Sequence, residues 1–435
     1  MSEHRRIHSA FTPPRDPLHL PCLASVPVPA GTRRGSGSTQ GPSADSSRQG
    51  LTAVKLSRSG RAVTVAVAGT LALAACGSDS NTSTSTTSAA AGASSSASSS
   101  GGAGATVSGT LNGEGSTAQK NAIQQIIADF QTANSGATVN YNGTGSGAGI
   151  KQFNAGQVDF AGSDSALKTE AADGGKTEAA AAKERCAGND AWNLPMVAGP
   201  IAIAYNVQGV DKLVLTPEVA AKIFNGTIKT WDDAAIKALN SGATLPATPI
   251  KVFFRSDESG TTENFQKYLA GAAASVWTDK PAKKWAGKVG EGKPKSDGVA
   301  AAVKATVGGI SYAEWSFATK NSLGVAQIDN GAGAVELTGD SAGKAVAAAT
   351  VTGTGNDLAL KLDYATKAPG AYPIVLVTYE IVCSKGLAAD KTTLVKAFLK
   401  YFADPAQQTK LTGLGYAPLP AEVQTKVAAA VDAIS

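Results

Sequence analysis

The sequence RSDESGT at residues 255–261 joins an apolar run at 250–254 to a pattern of helical periodicity. Two further stretches rich in glycine and hydroxyl residues precede helical patterns: GEGST at 113–117 and GTGSG at 143–147. A helix N-terminus presents unpaired backbone N–H groups and a partial positive charge, so several that converge on one point would bind an anion strongly. The alternative is that all three stretches are ordinary helix N-caps, a position at which Ser and Thr are preferred.

Strand and helix patterns alternate along the chain. Strand patterns at 137–141, 200–207 and 250–254 precede helical patterns that begin near residues 148, 217 and 259. This alternation predicts α/β domains with mostly parallel sheets, and the length after residue 105 is enough for two domains. In such sheets, ligands bind where the strands end and the following helices begin, which is where the three stretches lie.

The front of the chain has the pattern of an export signal. A basic segment at 55–61 precedes a small apolar run at 62–75, which is too short to span a membrane as a stable helix but fits the core of a signal peptide. LAAC at 73–76 resembles the lipobox of bacterial lipoproteins, in which the cysteine, here Cys76, carries the lipid and becomes the mature N-terminus. The alternative is a chance cysteine behind an ordinary secretion signal.

These patterns set the boundaries in front of the folded part. We expect a lipoprotein signal peptide at 54–75 and a flexible tether at 76–105, since that stretch is mostly Ser, Thr, Ala and Gly. Residues 1–53 show no periodicity and precede a complete signal, which indicates a doubtful leader from a start site placed too far upstream. The predicted location is the outer face of the cell membrane, with the lipid on Cys76 as the anchor.

The predicted leader and signal also carry the basic character of the chain. Residues 1–75 contain nine of the 39 Lys and Arg residues and three of the 34 Asp and Glu residues. The remainder therefore has 30 basic and 31 acidic residues, and its net charge is −1 rather than +5. This balance indicates no nucleic-acid-binding surface.

The cysteines and histidines narrow the chemistry further. All histidines, namely His4, His8 and His19, lie before residue 54, so we expect no Ser-His-Asp or Cys-His nucleophile, no metal site, no cofactor and no catalytic residue. Two cysteines remain in the folded part, Cys186 and Cys383. Thiols outside the cytoplasm are often oxidised, so a disulfide between them is expected, with two buried free thiols as the alternative.

A different ligand class also fits part of the pattern. Residues 143–148 match the dinucleotide-binding pattern G-x-G-x-x-A, and Asp164 lies about twenty residues further on, where an acidic residue would bind the ribose. However, Asp164 follows FAGS at 160–163 rather than a clear apolar strand, and an extracytoplasmic protein meets little NAD. We therefore favour a small-anion site over a nucleotide site.

Taken in order, five segments resemble the phosphate-binding proteins of the bacterial high-affinity phosphate (Pst) ABC transporter. The segments are GEGST at 113–117, GTGSGAGIKQ at 143–152, VDFAGSD at 158–164, GTIKTWDD at 226–233 and RSDESGT at 255–261. The resemblance covers about residues 107–434, and the Ser- and Ala-rich tether resembles that of actinobacterial members.

The resemblance implies a periplasmic-binding-protein fold, in which two α/β lobes close over one phosphate in the cleft between them. The first lobe would comprise residues 106–202 and 371–435, and the second would comprise 203–370. It also implies that the protein delivers inorganic phosphate to the membrane permease subunits of the importer and is not an enzyme.

The resemblance also implies the phosphate contacts, position by position. The first lobe would contribute Thr117, the backbone of Ala118, Ser146 and Asp164, and the second would contribute Arg255, Ser259, Gly260 and Thr261. Asp257 would hold the Arg255 guanidinium in place. Many members have phenylalanine in place of Ala118, and Glu258 replaces a glycine.

The chemistry of phosphate gives Asp164 and Arg255 clear roles. Phosphate at neutral pH retains a proton that sulfate lacks. An ionised, buried Asp164 would accept a hydrogen bond from that proton but repel sulfate, and such a site rejects the analogue strongly. Arg255 would supply a fixed cation that can donate two bonds to phosphate oxygens. The alternative is that Asp164 is an acidic residue in a surface turn and that Arg255 belongs to a surface ion pair.

Two other functions stay open on the sequence. One is a secreted phosphate-ester hydrolase with Ser259 or Thr261 as its nucleophile, which would need a metal cluster or a lysine base in place of histidine. The other is a surface adhesin or sensor that keeps the same fold and acts by contacting partners.

Overall fold

The computed structural model describes residues 107–171 and 174–435. The predicted leader, signal peptide, lipid site at Cys76 and tether lie outside these residues. Within the described ranges, no helix is long and apolar enough to cross a membrane.

In chain order, the described strands are β1 (Gly109–Gly115), β2 (Ala137–Gly143), β3 (Phe160–Ser163), β4 (Ala191–Asn206), β5 (Val214–Leu215), β6 (Lys251–Arg255), β7 (Glu291–Lys293), β8 (Gly309–Glu314), β9 (Gly324–Val325), β10 (Gln327–Asp329), β11 (Ala334–Val335), β12 (Thr350–Val351), β13 (Leu360–Lys361) and β14 (Val375–Cys383).

The described helices are α1 (Lys120–Ala133), α2 (Ser146–Asn154), α3 (Glu178–Arg185), α4 (Pro217–Phe224), α5 (Ala234–Leu239), α6 (Gly260–Ala272), α7 (Lys295–Ala305), α8 (Trp315–Lys320), α9 (Gly339–Ala347), α10 (Ala389–Ala403), α11 (Pro405–Thr412) and α12 (Ala421–Asp432).

The main sheet of the described part runs in the order β2-β1-β3-β14-β4-β8-β6-β7, and β9 pairs with β4. Strands β1–β3 are parallel, and so are β6–β8. Between these groups, β14 and β4 run antiparallel to each other and to their outer neighbours. The sheet is therefore mixed, and the parallel arrangement expected from the sequence is confined to its two outer groups.

Strand β4 links the two parallel groups. It pairs with β14 up to Pro200 and with β8 from Ile201 onward. Both β4 and β14 read as nearly continuous apolar runs, which is typical of strands buried on both faces. We call β1–β3 with α1–α3 and α10–α12 the first lobe, and β6–β8 with α4–α8 the second lobe.

Each lobe has its own buried core. In the second lobe, Phe265 packs against Tyr312 and Phe224 with ring centroids 4.7 and 4.8 Å apart. In the first lobe, Phe130 of α1 packs edge-on against Phe398 of α10 at 5.4 Å. These aromatic contacts pack α6 against α4 and β8 in the second lobe and α1 against α10 in the first lobe.

Helix α9, which precedes the expected boundary at residue 370, packs with residues of the first lobe. Ala342, Ala345 and Val346 of α9 are buried in the same cluster as Ile150 of α2 in the first lobe and Val377 of β14. Their spacing of three and four residues gives α9 one small apolar face, which packs against β14 and β4. The helix at 339–347 therefore packs with the first lobe.

A disulfide joins Cys186 at the end of α3 to Cys383 at the end of β14. The two residues are 197 positions apart in the chain. A cross-link over so long a loop restricts the unfolded chain and thereby stabilises the fold.

Candidate functional site

The three glycine- and hydroxyl-rich stretches meet between the two lobes, because the β1–β3 and β6–β8 groups run in opposite directions and their carboxyl ends face each other. They lie at the ends of β1, β2 and β6, where α1, α2 and α6 begin. Among the cap positions of these three helices, only Ser259 makes a side-chain capping bond: its Oγ accepts a hydrogen bond from the Thr262 N–H at 3.2 Å. The cap positions of α1 and α2, Gln119 and Gly145, make no side-chain capping bond. The other hydroxyl groups are therefore available for interactions within the site.

Asp164, which follows β3, is the acceptor at the centre of the site. Its Oδ1 accepts hydrogen bonds from Ser116 Oγ at 2.5 Å and Thr378 Oγ1 at 2.8 Å, and its Oδ2 accepts one from Ser146 Oγ at 3.0 Å. The residue is only 3 % exposed. Burial raises the pKa of Asp164 to about 6, although these hydroxyl donors favour the ionised form. Asp164 is therefore mainly ionised at neutral pH.

Arg255, at the end of β6, supplies the buried cation and is 2 % exposed. Its Nε and Nη2 donate to the two carboxylate oxygens of Asp257 at 2.8 and 2.5 Å. Burial alone would raise the pKa of Asp257, but the bonds and charge of Arg255 hold it below its ordinary value. Asp257 therefore accepts a pair of guanidinium bonds, whereas we expected Arg255 to donate two bonds to phosphate oxygens. The Nη1 group donates instead to Ser296 Oγ at 3.1 Å.

The remaining expected contacts lie beside these two residues. Thr117 Oγ1 shares a hydrogen bond of 2.7 Å with Ser296 Oγ, and the Ala118 N–H donates to Ser116 Oγ at 3.0 Å. Thr261 Oγ1 donates to Glu314 Oε1. All eight expected contact residues are buried: Thr117, Ala118, Ser146, Asp164, Arg255, Ser259, Gly260 and Thr261.

The two lobes touch directly at Gly260. Its N–H donates to Ser146 Oγ at 3.2 Å. A Cβ at this position would lie 2.6 Å from the Asp164 Cβ and 2.7 Å from Ser146 Oγ. Because only glycine permits so close an approach, Gly260 allows the start of α6 to reach the first lobe.

Ion pairs surround this contact. Glu258 lies near Lys151 of the first lobe at 2.5 Å and Lys284 at 3.5 Å, and Lys120 pairs with Asp297 at 2.6 Å. The Lys151 bond lowers the pKa of Glu258 despite partial burial. The glutamate that replaces a glycine of the resembled family therefore joins the two lobes at the rim of the cleft.

Sequence reasoning missed four side chains that the structure brings to the site. Ser116 and Thr378 bind Asp164, Ser296 binds Arg255 and Glu314 binds Thr261. For Thr378 a signal exists, because it is a polar residue inside the apolar run of β14. Ser116 lies within the quoted stretch at 113–117, whereas Ser296 and Glu314 have no distinguishing local pattern.

Glu380 gives the protein a testable pH dependence of stability. It lies on β14, is fully buried, and has a pKa that burial raises to about 8, with the charge of Asp164 acting in the same direction. Between its ordinary pKa of 4.5 and about 8, the unfolded chain has released this proton and the folded chain retains it. Stability is therefore lost as the pH rises through this window.

Replacing Glu380 by Gln is expected to remove this loss. The Tm of the variant minus the Tm of the unmodified protein should increase by a few degrees as the pH rises from about 5 to about 8, which calorimetry measures. The matched control is Glu336→Gln, since Glu336 is exposed. A Tm difference that stays constant with pH would show that Glu380 is ionised in the fold.

Comparisons with known proteins agree with this geometry. Residues 100–406 match the family model of the PBP superfamily domain. Phosphate-binding protein PstS 3 of Mycobacterium tuberculosis is 49 % identical over 330 residues, which cover 75 % of this chain and 87 % of that protein. PstS 2 of the same organism is 48 % identical over 329 residues, with the same coverage of both chains.

Solved structures share the fold. A high-affinity periplasmic phosphate-binding protein (PfluDING) bound with phosphate superposes with a TM-score of 0.58 at 22 % identity, over 74 % of this chain and 93 % of that one. The two-lobed architecture thus agrees with the sequence relationship. The chain belongs to the PBP superfamily and, within it, to the PstS family of phosphate-binding proteins.

Proposed function

We propose that this protein captures inorganic phosphate between its lobes and delivers it to the permease subunits of a phosphate ABC importer. The observation that carries the proposal is that the cleft contains a buried hydrogen-bond acceptor, Asp164, and a buried cation, Arg255. Around them lie hydroxyl groups and the N-termini of α2 and α6, which suit an oxyanion. The names of the relatives, which are phosphate-binding proteins, support the same ligand.

The proposed contacts divide between the lobes. Thr117, the Ala118 N–H, Ser146 and Asp164 bind phosphate from the first lobe. From the second lobe, the contacts that the resemblance implies are Arg255, Ser259, Gly260 and Thr261. Phosphate would replace the bonds that Ser296 and Ser116 now make to Arg255 Nη1 and the Ala118 N–H. Arg255 Nη1 and the Ala118 N–H are therefore already held in place in the cleft, so these groups lose little conformational freedom when phosphate binds.

Calorimetry of the protein from residue 106 onward tests this function. We expect one phosphate per chain, with sulfate titrated in parallel showing little heat. An assay with a generic phosphomonoester distinguishes a hydrolase from a binding protein, because only a hydrolase would release phosphate from the ester. Phosphate-independent partner binding without a phosphate titration signal would favour the adhesin or sensor alternative.

We also propose that the lipid on Cys76 holds the protein at the outer face of the membrane, beside the permease. A Cys76→Ser change is expected to release the protein into the medium or leave an unprocessed precursor, and to impair uptake at low external phosphate. Mass spectrometry of the mature N-terminus measures the first effect, and labelled phosphate uptake measures the second. A mature protein that starts at an unmodified residue other than Cys76 would contradict the anchor.

A further inference from the structure

The ion pairs that join the two lobes differ in their burial. The eight expected contact residues are buried, so the lobes must separate for phosphate to enter or leave, and separation breaks each bond between them. Two of the ion pairs lie at the rim. The Lys151 and Lys120 side chains are 71 % and 35 % exposed, and their partners Glu258 and Asp297 are 28 % and 49 % exposed. Water solvates and screens such pairs in both states, so they contribute little to closure.

A further ion pair between the lobes is largely buried. Lys283, which lies between α6 and β7 in the second lobe, donates through Nζ to Glu178 Oε1 of α3 at 2.7 Å. The Lys283 side chain is 7 % exposed and that of Glu178 is 26 % exposed. Water screens a buried pair much less than an exposed one, and removal of one partner leaves the other charge without compensation. This pair is therefore more sensitive to closure than the pairs at the rim.

Both residues are also bonded to segments that carry the proposed phosphate contacts. The carbonyl of Lys283 accepts a hydrogen bond from the Ser259 N–H at 2.9 Å, directly before α6. Glu178 Oε2 accepts one from the Lys168 N–H at 3.0 Å, four residues after Asp164. The ion pair thus connects the segment that follows Asp164 with the N-terminus of α6, although neither side chain is an expected contact of the ligand.

A second contact between the lobes depends on the same lysine. Glu263 of α6 is 4 % exposed and accepts a hydrogen bond through Oε2 from Ser165 Oγ of the first lobe at 3.1 Å. Burial alone would raise the pKa of this carboxyl, but the charges of Lys267, Lys283 and Lys168 hold it below its ordinary value. Glu263 is therefore ionised at neutral pH, and Lys283 supports both contacts.

We propose that Lys283 is a positioning residue for phosphate retention: its ion pair with Glu178 holds the lobes closed and thereby sets the rate at which phosphate leaves. This inference rests on the proposed phosphate site. In the closed protein the two charges compensate each other, whereas separation of the lobes hydrates both. Without Lys283, each closure buries Glu178 without its cation, so the closed form loses stability relative to the open form. Phosphate, which binds the closed form, is then held less tightly.

The test is the affinity and the release rate of inorganic phosphate. Lys283→Met is expected to raise the Kd by about ten- to a hundredfold, mostly through faster dissociation. Calorimetry measures the Kd, and a chase of labelled phosphate with unlabelled phosphate measures the rate. Glu178→Gln should have a smaller effect in the same direction, because Lys283 then keeps the charge of Glu263 nearby. The matched control is Lys151→Met, which removes a lysine from the pair at the rim and should raise the Kd at most about fivefold.

Two further measurements separate phosphate retention from general stability. Without phosphate, the Tm of Lys283→Met should stay close to that of the unmodified protein, whereas the rise in Tm at a fixed phosphate concentration should be smaller. A purely structural ion pair would lower the Tm equally with and without phosphate. The double variant Lys283→Met/Glu178→Gln should recover part of the affinity that Lys283→Met loses, because no carboxylate is then buried without its cation.

The outcomes separate this proposal from the proposed function. A folded Lys283→Met variant that keeps the affinity and the release rate of the unmodified protein overturns the role of the pair and leaves phosphate binding standing. Equal losses of Tm with and without phosphate, or additive losses of affinity in the double variant, also overturn it. If Lys283→Met does not fold, the Kd and release rate of Glu178→Gln decide, and unchanged values overturn the proposal. Failure of the unmodified protein to bind phosphate would instead overturn the proposed function.

Discussion

Asp164→Asn is expected to narrow the preference for phosphate over sulfate by about ten- to a hundredfold. The unmodified site presents a buried carboxylate that accepts a bond from protonated phosphate and repels sulfate. The amide removes the charge and can turn its N–H₂ group toward an unprotonated oxygen, so sulfate is no longer rejected at this position. Ser116 and Thr378 can still donate to the remaining oxygen, whereas Ser146 Oγ, which donates to the other carboxylate oxygen in the unmodified protein, can accept from the amide. Parallel calorimetric titrations with the two anions measure the ratio.

The matched control for this change is Asp129→Asn. Asp129 lies on α1 of the same lobe and pairs with Lys410 at the surface, at 3.1 Å. This variant should keep the preference of the unmodified protein. Competition by equimolar sulfate in the unmodified protein would count decisively against the role given to Asp164.

Arg255→Ala is expected to weaken phosphate binding by at least about ten- to a hundredfold, since a charge-assisted hydrogen bond contributes roughly 1.5–3 kcal/mol. The change also leaves Asp257 without its cation, which adds a negative charge beside the ligand. Asp257 keeps one donor, the Lys295 N–H at 2.9 Å, and is partly exposed, so the fold should survive. Calorimetry with phosphate, together with circular dichroism, separates lost affinity from lost structure.

Arg185 offers a control with the same substitution. It lies on α3, donates to the Val158 carbonyl at 3.1 Å and packs over the Phe153 ring at 4.8 Å. Arg185→Ala should lower stability through these contacts without changing phosphate affinity. The phosphate affinity of Arg255→Lys should lie between those of the unmodified protein and Arg255→Ala. Lysine keeps the positive charge but loses the planar pair of hydrogen bonds to Asp257. Full affinity in a folded Arg255→Ala variant would show that this residue does not bind the ligand.

The local elements were predictable because their signals lie within a few neighbouring residues. The helical pattern at 217–224 corresponds to α4, and the strand pattern at 250–254 to β6 with a shift of one residue. Ser259 has the side chain and the position of an N-cap, and the structure uses it as one. The family and its two-lobed fold followed from five such motifs in a specific order.

The mixed centre of the sheet was not predictable from alternation. A run such as β14 reads as a buried strand in either direction, because burial on both faces removes the polar alternation that would reveal its neighbours. Likewise, α9 carries only a small apolar face, which could pack on either lobe. Its placement with the first lobe depends on the surface that β14 and β4 present.

By itself, the sequence determined the fold class, the family and the identity of the candidate acceptor and cation, Asp164 and Arg255, since short motifs carry these signals. Only the tertiary structure decided how the two residues are used. Asp257 occupies the fork of Arg255, and Thr378, 214 residues from Asp164, donates to its carboxylate. Such contacts arise where strands distant in sequence pair side by side, and no local pattern records which side chains then meet.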